Sequence, residues 1–229
     1  MENPIITVVY SHGRYGSPWY GFKIEALRPV ALKLGLNMIS VRYPEEMTVD
    51  DMEQKLLGAV ADDVNVPGDV VFLSSSRGGY LSTRVSRRTM ELYSREPTRR
   101  DEDKLLPKRH VLGQFLIAPA FYIKPEYYGD QAPAPPNGIR TRIVHGLEDK
   151  VISCENSIKF SRLFNAQLHL IEGGHRLNSQ RDRLCLLFED FLRDCIKDAD
   201  AMFSAWKEEN PQREREADDI SPRAAADIR

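Results

Sequence analysis

Residues 70–80, V-V-F-L-S-S-S-R-G-G-Y, limit the choice of fold more than any other stretch of the chain. Val70, Val71, Phe72 and Leu73 form a short apolar run between Gly68-Asp69 and Gly78-Gly79. A β-branched and aromatic run of that length, without alternation, predicts a strand buried on both faces. From Gly79 to Tyr93 the pattern turns helical. A strand passing sharply into a helix through Ser74-Ser75-Ser76-Arg77-Gly78 brings the residues two before and two after Ser76 close together. Both must be small, and the serine must accept a strained backbone. In return its Oγ stands above the sheet edge, beside N–H groups at the helix start, where the helix dipole favours negative charge. Ser74 is small but less permissive than glycine at the first of these positions. Alone, such a loop is also what a plain β-to-α turn looks like, so the rest of the chain has to decide.

Along the chain, strands are predicted over residues 5–10, 38–41, 70–73, 111–117, 140–144 and 167–171. Helices are predicted over 19–34, from Thr48 to about 61, over 79–93 and over 155–164, with a last one carrying Leu184, Leu187, Phe188, Phe191, Leu192, Cys195 and Ile196 on one face. Pro29 falls inside the first helical pattern and predicts a kink or a late start. Gly35 is a plausible C-cap, and Thr48 an N-cap with an acid three positions later. Strands alternating with helices predict an α/β fold: a mostly parallel sheet of about six strands, covered by helices on both faces. Residues 1–206 are expected to form one domain. Residues 207–229, charged and poor in aliphatic side chains, are expected to be a disordered or loosely docked tail. The charged stretch 94–109 reads as a solvated loop with both signs mixed. Residues 121–138, rich in Tyr and Pro, read as a long loop of the functional or mobile kind.

Composition narrows the partners. Of 229 residues, 29% are charged and 41% hydrophobic, and the net charge is −2. Nothing there predicts attraction to nucleic acid or to a membrane surface, and no apolar run reaches the roughly 20 residues a membrane helix needs. Three cysteines, Cys154, Cys185 and Cys195, show no C-x-x-C spacing. Neither a disulfide framework nor a metal site is expected, and a reducing cytoplasm fits. The first residues lack a basic region and a cleavage site, so no secretory signal is expected.

Ligands of parallel sheets gather at the carboxyl ends of the strands. Four polar groups are predicted to stand there: His12-Gly13, Ser76, Asp149 and His175. A serine hydroxyl is a weak nucleophile until a base takes its proton. Histidine does so near neutral pH, its ordinary pKa being about 6.5. The histidine in turn needs a carboxylate to fix its tautomer. Ser75 in a shifted register and Glu148 are the neighbouring alternatives for nucleophile and acid.

Four motifs, V-V-Y-S-H-G, S-S-S-R-G-G, H-G-L-E-D-K-V-I and I-E-G-G-H, carry a resemblance to the α/β-hydrolases over about residues 5–192. Their chain order, Ser76, Asp149, His175, is the order of that superfamily's triad, and the 26 residues from Asp149 to His175 leave room for one helix and one strand. The resemblance implies a small, lidless serine esterase or thioesterase. In it Ser76 is the nucleophile, His175 the base and Asp149 the orienting acid. The backbone N–H groups of Arg14 and Arg77 form the oxyanion hole. His12 and His145 are structural, and no metal or organic cofactor takes part. His110 and His169 fall outside the constellation. The implied partner is a small-molecule ester or thioester. A ligand-binding protein without turnover, and a lyase or acyltransferase with the same triad, are the alternatives. Arg14, Arg77 and Tyr15 are candidates for substrate contact, and the two guanidinium groups would suit an anionic part of the substrate unless they fold away to nearby acids such as Glu126 or Glu148.

Overall fold

A computed structural model describes residues 4–62, 64–93, 110–123 and 134–209. The charged stretch 94–109 and all but the first three residues of the 207–229 tail lie outside the described residues, as does Glu126. Six strands form one sheet: β1 (Ile6–Ser11), β2 (Asn37–Val41), β3 (Asp69–Ser75), β4 (Val111–Ile117), β5 (Arg140–Gly146) and β6 (Gln167–Ile171). Every pairing is parallel, and the order is β2-β1-β3-β4-β5-β6. Among the described residues five α-helices connect and cover them: α1 (Phe22–Lys33), α2 (Val49–Ala61), α3 (Arg77–Tyr93), α4 (Cys154–Phe164) and α5 (Arg181–Glu209). Among the described residues no helix is long and apolar enough to cross a membrane.

The near-continuous apolar strands divide their side chains between two cores. Val8, Val71, Leu73, Phe115, Ile117 and Val144 pack with Leu27 and Ala31 of α1 and with Leu184, Phe188, Phe191 and Leu192 of α5. Their sequence neighbours Val9, Val70, Phe72, Leu116 and Ile143 point the other way, onto Met52, Leu56, Tyr80, Leu81, Val85 and Phe160 of α2, α3 and α4. The period of two along a strand makes this division. The chain leaves β1 toward β2 on one side and reaches β3 on the other. The crevice between the β1 and β3 ends is therefore the switch point, where open α/β sheets bind ligands.

Local chemistry sets the helix limits. Thr48 Oγ1 accepts from the Asp51 N–H at 3.1 Å and caps α2. Gly35, at φ 76°, ends α1, its N–H bonded to Leu32 O and that of Leu36 to Ala31 O, the paired bonds of a Schellman close. Pro29 neither delays nor ends α1. The helix starts seven residues before it, and the Glu25 carbonyl, which a proline four residues on cannot serve, meets Arg181 Nη2 at 3.5 Å. The α5 helix runs to Glu209, three residues past the expected domain edge.

Candidate active site

At the end of β3 the chain does what a strained serine turn requires. Ser76 has φ 52°, the left-handed region that a non-glycine residue enters only where its surroundings hold it. Its N–H bonds to Ile117 O at 3.0 Å, and its carbonyl accepts from Gly79 and Ala120 at 2.9 and 3.0 Å. The two glycines that follow are demanded by close approach. A Cβ on Gly78 would lie 1.9 Å from the Ser11 carbonyl oxygen, and one on Gly79 2.8 Å from Pro119 Cβ. The first turn of α3 is thus wedged between the ends of β1 and β4. Deeper in α3, the Thr83 hydroxyl lies 2.9 Å from Gly79 O and 3.1 Å from Gln114 Oε1, and Gln114 Nε2 donates to Thr141 Oγ1 at 3.0 Å. This buried chain ties the elbow helix to β4 and β5. From Val70 to Thr83 every residue is buried except Ser76. Ser75 is buried and Ser74 wholly so, its Oγ without a hydrogen bond among the described residues.

Asp149 follows β5 in a tight turn, its N–H bonded to Gly146 O. Four donors converge on its carboxylate. Oδ1 accepts from the N–H groups of Val151 and Ile152 at 2.8 and 2.9 Å. Oδ2 lies 2.7 Å from His175 Nδ1 and 3.0 Å from His145 Nε2. Burial alone would raise its pKa, but the hydrogen bonds from the two histidines and the two amides outweigh it and hold the carboxyl well below the usual range. An ionised carboxylate only accepts, so His175 carries its proton on Nδ1 and leaves Nε2 as the free base. That tautomer is the one a general base requires.

The loop carrying His175 crosses the end of β5. Glu148 N–H bonds to Gly173 O at 3.0 Å, and a Cβ on Gly146 would stand 2.2 Å from that same oxygen. This backbone contact brings the loop after β6 back to the loop after β5. Glu148 itself is exposed, and its side chain makes no hydrogen bond or ion pair among the described residues. Ser76 and His175 stand at the same sheet edge. Among the described residues neither Ser76 Oγ nor His175 Nε2 makes a hydrogen bond, so the structure joins acid to base but leaves base and serine unbonded.

On the other side of the crevice, His12 Nδ1 donates to Gly13 O at 2.7 Å. The ring lies against Tyr43, whose hydroxyl is 2.8 Å from Ser11 Oγ. Burial foremost, and the Arg77 charge as well, push the His12 pKa down, the Gly13 hydrogen bond opposing them. It is a neutral, buried ring that shapes the loop. Residues 13–16 form a turn closed by Gly16 N–H to Gly13 O. Gly13 sits directly on the serine: a Cβ there would lie 3.1 Å from Ser76 Cβ and 3.7 Å from its Oγ. Arg14 and Tyr15 are exposed, the guanidinium over the ring at 5.4 Å from its centre. Arg77 is buried, near enough to His12 and Tyr43 to lower the proton affinity of both. Among the described residues no cluster of His, Cys, Asp or Glu is arranged to hold a metal ion.

No protein-family model matches the chain, and no curated protein matches it in sequence. Solved structures match it in shape. Est1E from Butyrivibrio proteoclasticus is 15% identical, with 86% of this chain and 90% of that one covered and a TM-score of 0.65. Alpha/beta hydrolase domain-containing protein 10 from mouse is 17% identical, covering 82% and 89%, at 0.59. The type II thioesterase BorB from the borrelidin biosynthetic cluster is 14% identical, covering 82% and 92%, at 0.57. The chain has the α/β-hydrolase fold. At these identities the likeness is one of architecture, and the chemistry has to come from the residues. Within the α/β-hydrolase sheet, the loops after β1, β3, β5 and β6 bring His12 to Gly16, Ser76, Asp149 and His175 to one edge. Two contacts of that edge were not legible in the sequence. His145, expected to be merely structural, donates to the acid itself. Lys23, in the first turn of α1, lies against the His175 backbone. A histidine four residues before the acid was visible in the sequence but silent about its contact. No sequence signal marked Lys23.

Proposed function

We propose that the protein is a serine hydrolase that cleaves a carboxylic ester or thioester through an acyl-enzyme on Ser76. His175 Nε2 takes the serine proton as Oγ attacks the acyl carbon and delivers it to the leaving group. A water that gives its proton to the same nitrogen then releases the acid. Asp149 fixes the His175 tautomer and stabilises the imidazolium as it forms. The N–H groups of Arg14, in the turn on Gly13, and of Arg77, at the open start of α3, stabilise the tetrahedral oxyanion. Of the side chains expected to contact substrate, Arg14 and Tyr15 stand exposed at the approach to it, while that of Arg77 is buried toward His12 and Tyr43.

The observation that carries this reading is the Asp149–His175 pair at 2.7 Å, at the sheet edge where Ser76 is the one unburied residue between Val70 and Thr83. The serine–histidine contact is of the kind that tightens when substrate orders the site. The similarity to an α/β-hydrolase domain protein and a thioesterase supports the choice of reaction class. The test is labelling with a fluorophosphonate probe. The expected result is one adduct, mapped to Ser76, that is lost in Ser76→Ala. An adduct on Ser75, or none with active ester turnover intact, overturns the assignment.

A further inference from the structure

Lys23 is a cation that the proposed reaction does not use. It is partly buried in the first turn of α1, and its Nζ meets one acceptor, the His175 carbonyl, at 3.5 Å. An ammonium has three protons to donate. Among the described residues Lys23 forms no ion pair. The carboxylate whose field it feels is that of Asp149, and both oxygens of that group are already filled by four donors. Desolvating a cation without a partner is costly unless something completes it. Of the neighbouring cations, Arg14 lies over Tyr15 in solvent, Arg77 faces His12 and Tyr43, and Arg176, next to His175 in sequence, is exposed. Among the described residues Lys23 is thus the partly buried cation with spare donors beside the base.

We propose that Lys23 is a specificity residue, and that the ester or thioester cleaved at Ser76 carries a carboxylate, on its acyl or its leaving half, which rests against the Lys23 ammonium. This rests on the serine hydrolase reading above. A carboxylate there supplies the missing acceptor, and a hydrogen bond between two charged groups in a partly dry site contributes more than one in water.

Lysine, unlike arginine, loses its charge within the working range of such an enzyme. Burial foremost, and Arg176 from the His175 loop, lower the Lys23 pKa, while Asp149 from the β5 end raises it, and the balance falls at about 8. Two other charged groups lie near this turn: Arg181 at the start of α5, engaged with the Glu25 carbonyl, and Glu25 of α1 itself, whose Oε1 accepts from the Gly21 N–H at 2.9 Å. Because kcat/KM follows the ionisation of the free enzyme, selectivity for the anion should be full below pH 7 and should fade as pH rises through 8. A guanidinium does not give up its proton in this range, so a contact made by an arginine would give no such fade.

The experiment compares two matched pairs of esters from pH 6 to 9.5. One pair is the 4-nitrophenyl ester of adipic acid with its far carboxyl free or methylated. The other is the hexanoate of 4-hydroxybenzoic acid and that of its amide. The expected result is a kcat/KM ratio favouring the anion by about 10- to 100-fold in one pair at pH 6.5, falling toward unity by pH 9.5. Lys23→Met should bring the ratio near unity at every pH. Lys23→Arg should keep it and remove its pH dependence. Turnover without preference in either pair overturns the proposal alone, as does a preference that survives Lys23→Met. No turnover of any ester, with no fluorophosphonate adduct, overturns the hydrolase reading and this inference with it.

Discussion

Asp149 and Ser76 stand at the ends of β5 and β3, and the chain holds them by opposite means. Asp149 is held by hydrogen bonds. Both carboxylate oxygens are filled, two donors each, and the carboxyl stays ionised although buried. Ser76 is fixed by hydrogen bonds only through its backbone, and its side chain is held by space. Its side chain makes no hydrogen bond among the described residues, its φ is 52°, and Gly13 sits closely on it while Gly78 fits the Ser11 carbonyl with no room for a methyl group. The difference follows from what each half has to do. An orienting acid must not move or change charge, so donors surround it. A nucleophile has to move toward carbon, so its hydroxyl is left unbonded and only its backbone is fixed.

Breaking each half should therefore fail differently. The largest effect is expected at the serine itself. Ser76→Ala should lower kcat by about 10⁴- to 10⁶-fold with the fold intact, while Ser75→Ala, buried in β3, costs far less. Equal ester hydrolysis by Ser76→Ala and wild type would end the comparison. Next comes Asp149→Asn, expected to lower kcat by about 10³- to 10⁴-fold, with Glu148→Gln close to wild type because that side chain is exposed and without a partner among the described residues. Asp149 also links to pH. Its carboxyl binds protons less readily folded than unfolded, so the ionised group adds stability above the ordinary carboxylate pKa of about 4, and that stability is lost as pH falls below it. Melting curves should show Asp149→Asn well below wild type at pH 7, with the gap closing toward pH 3. A gap that widens in acid would mean the carboxylate is not what the donors stabilise.

The two halves were not equally legible in the sequence. The elbow is written in residue size, so S-S-S-R-G-G gave its place directly. The limits of β4 and β6 match the apolar runs, yet β3 and β5 extend two residues past theirs, to Ser75 and Gly146. Pairing with neighbours carries them on: Ser74 with Leu116, Ser75 with Ile117 and His145 with Leu170. Helix α3 likewise starts at Arg77, ahead of two glycines of low helix propensity, because packing on Ser11 and Pro119 decides there. The acid half is written in contacts between distant residues. Asp149 and His175 were found from motif and order, but the second histidine on Oδ2 and the lysine on the His175 carbonyl arise only when loops from β5, β6 and α1 meet.

His145 sharpens the contrast at smaller scale. Its Nε2 lies 3.0 Å from both Asp149 Oδ2 and Ile152 O, so it carries a proton, and Nδ1 lies 2.7 Å from Ser157 Oγ. As a positioning residue it should act on turnover rather than on substrate binding. His145→Ala removes a donor to a charged acceptor, a loss of about 1.5–3 kcal/mol, and kcat should fall by about 10- to 100-fold with KM little changed. His145→Gln, which keeps an N–H near the same place, should recover part of it. If the two variants lose activity only in step with their melting temperatures, His145 supports the fold and not the acid.

The smallest effect tests the idea that space alone holds the serine. A methyl group on Gly13 would come 3.1 Å from Ser76 Cβ, a contact that needs a shift of a few tenths of an ångström, and 3.5 Å from Ser75 O, an ordinary contact. Gly13 has no positive φ, so alanine adds no backbone strain there, and the turn closed by Gly16 should survive. What moves is the serine side chain. Small misplacement of a reacting atom is enough to slow attack, since about 1 Å can cost 10²-fold. Gly13→Ala should thus lower kcat by about tenfold with a melting temperature within a few degrees of wild type. The fluorophosphonate labelling rate should fall in the same proportion, because that reaction needs the same approach of Oγ. A rate unchanged by the methyl group would show that the hydroxyl is positioned by something other than the space around it. A large loss of stability would show instead that the turn, and not the serine, is what yields.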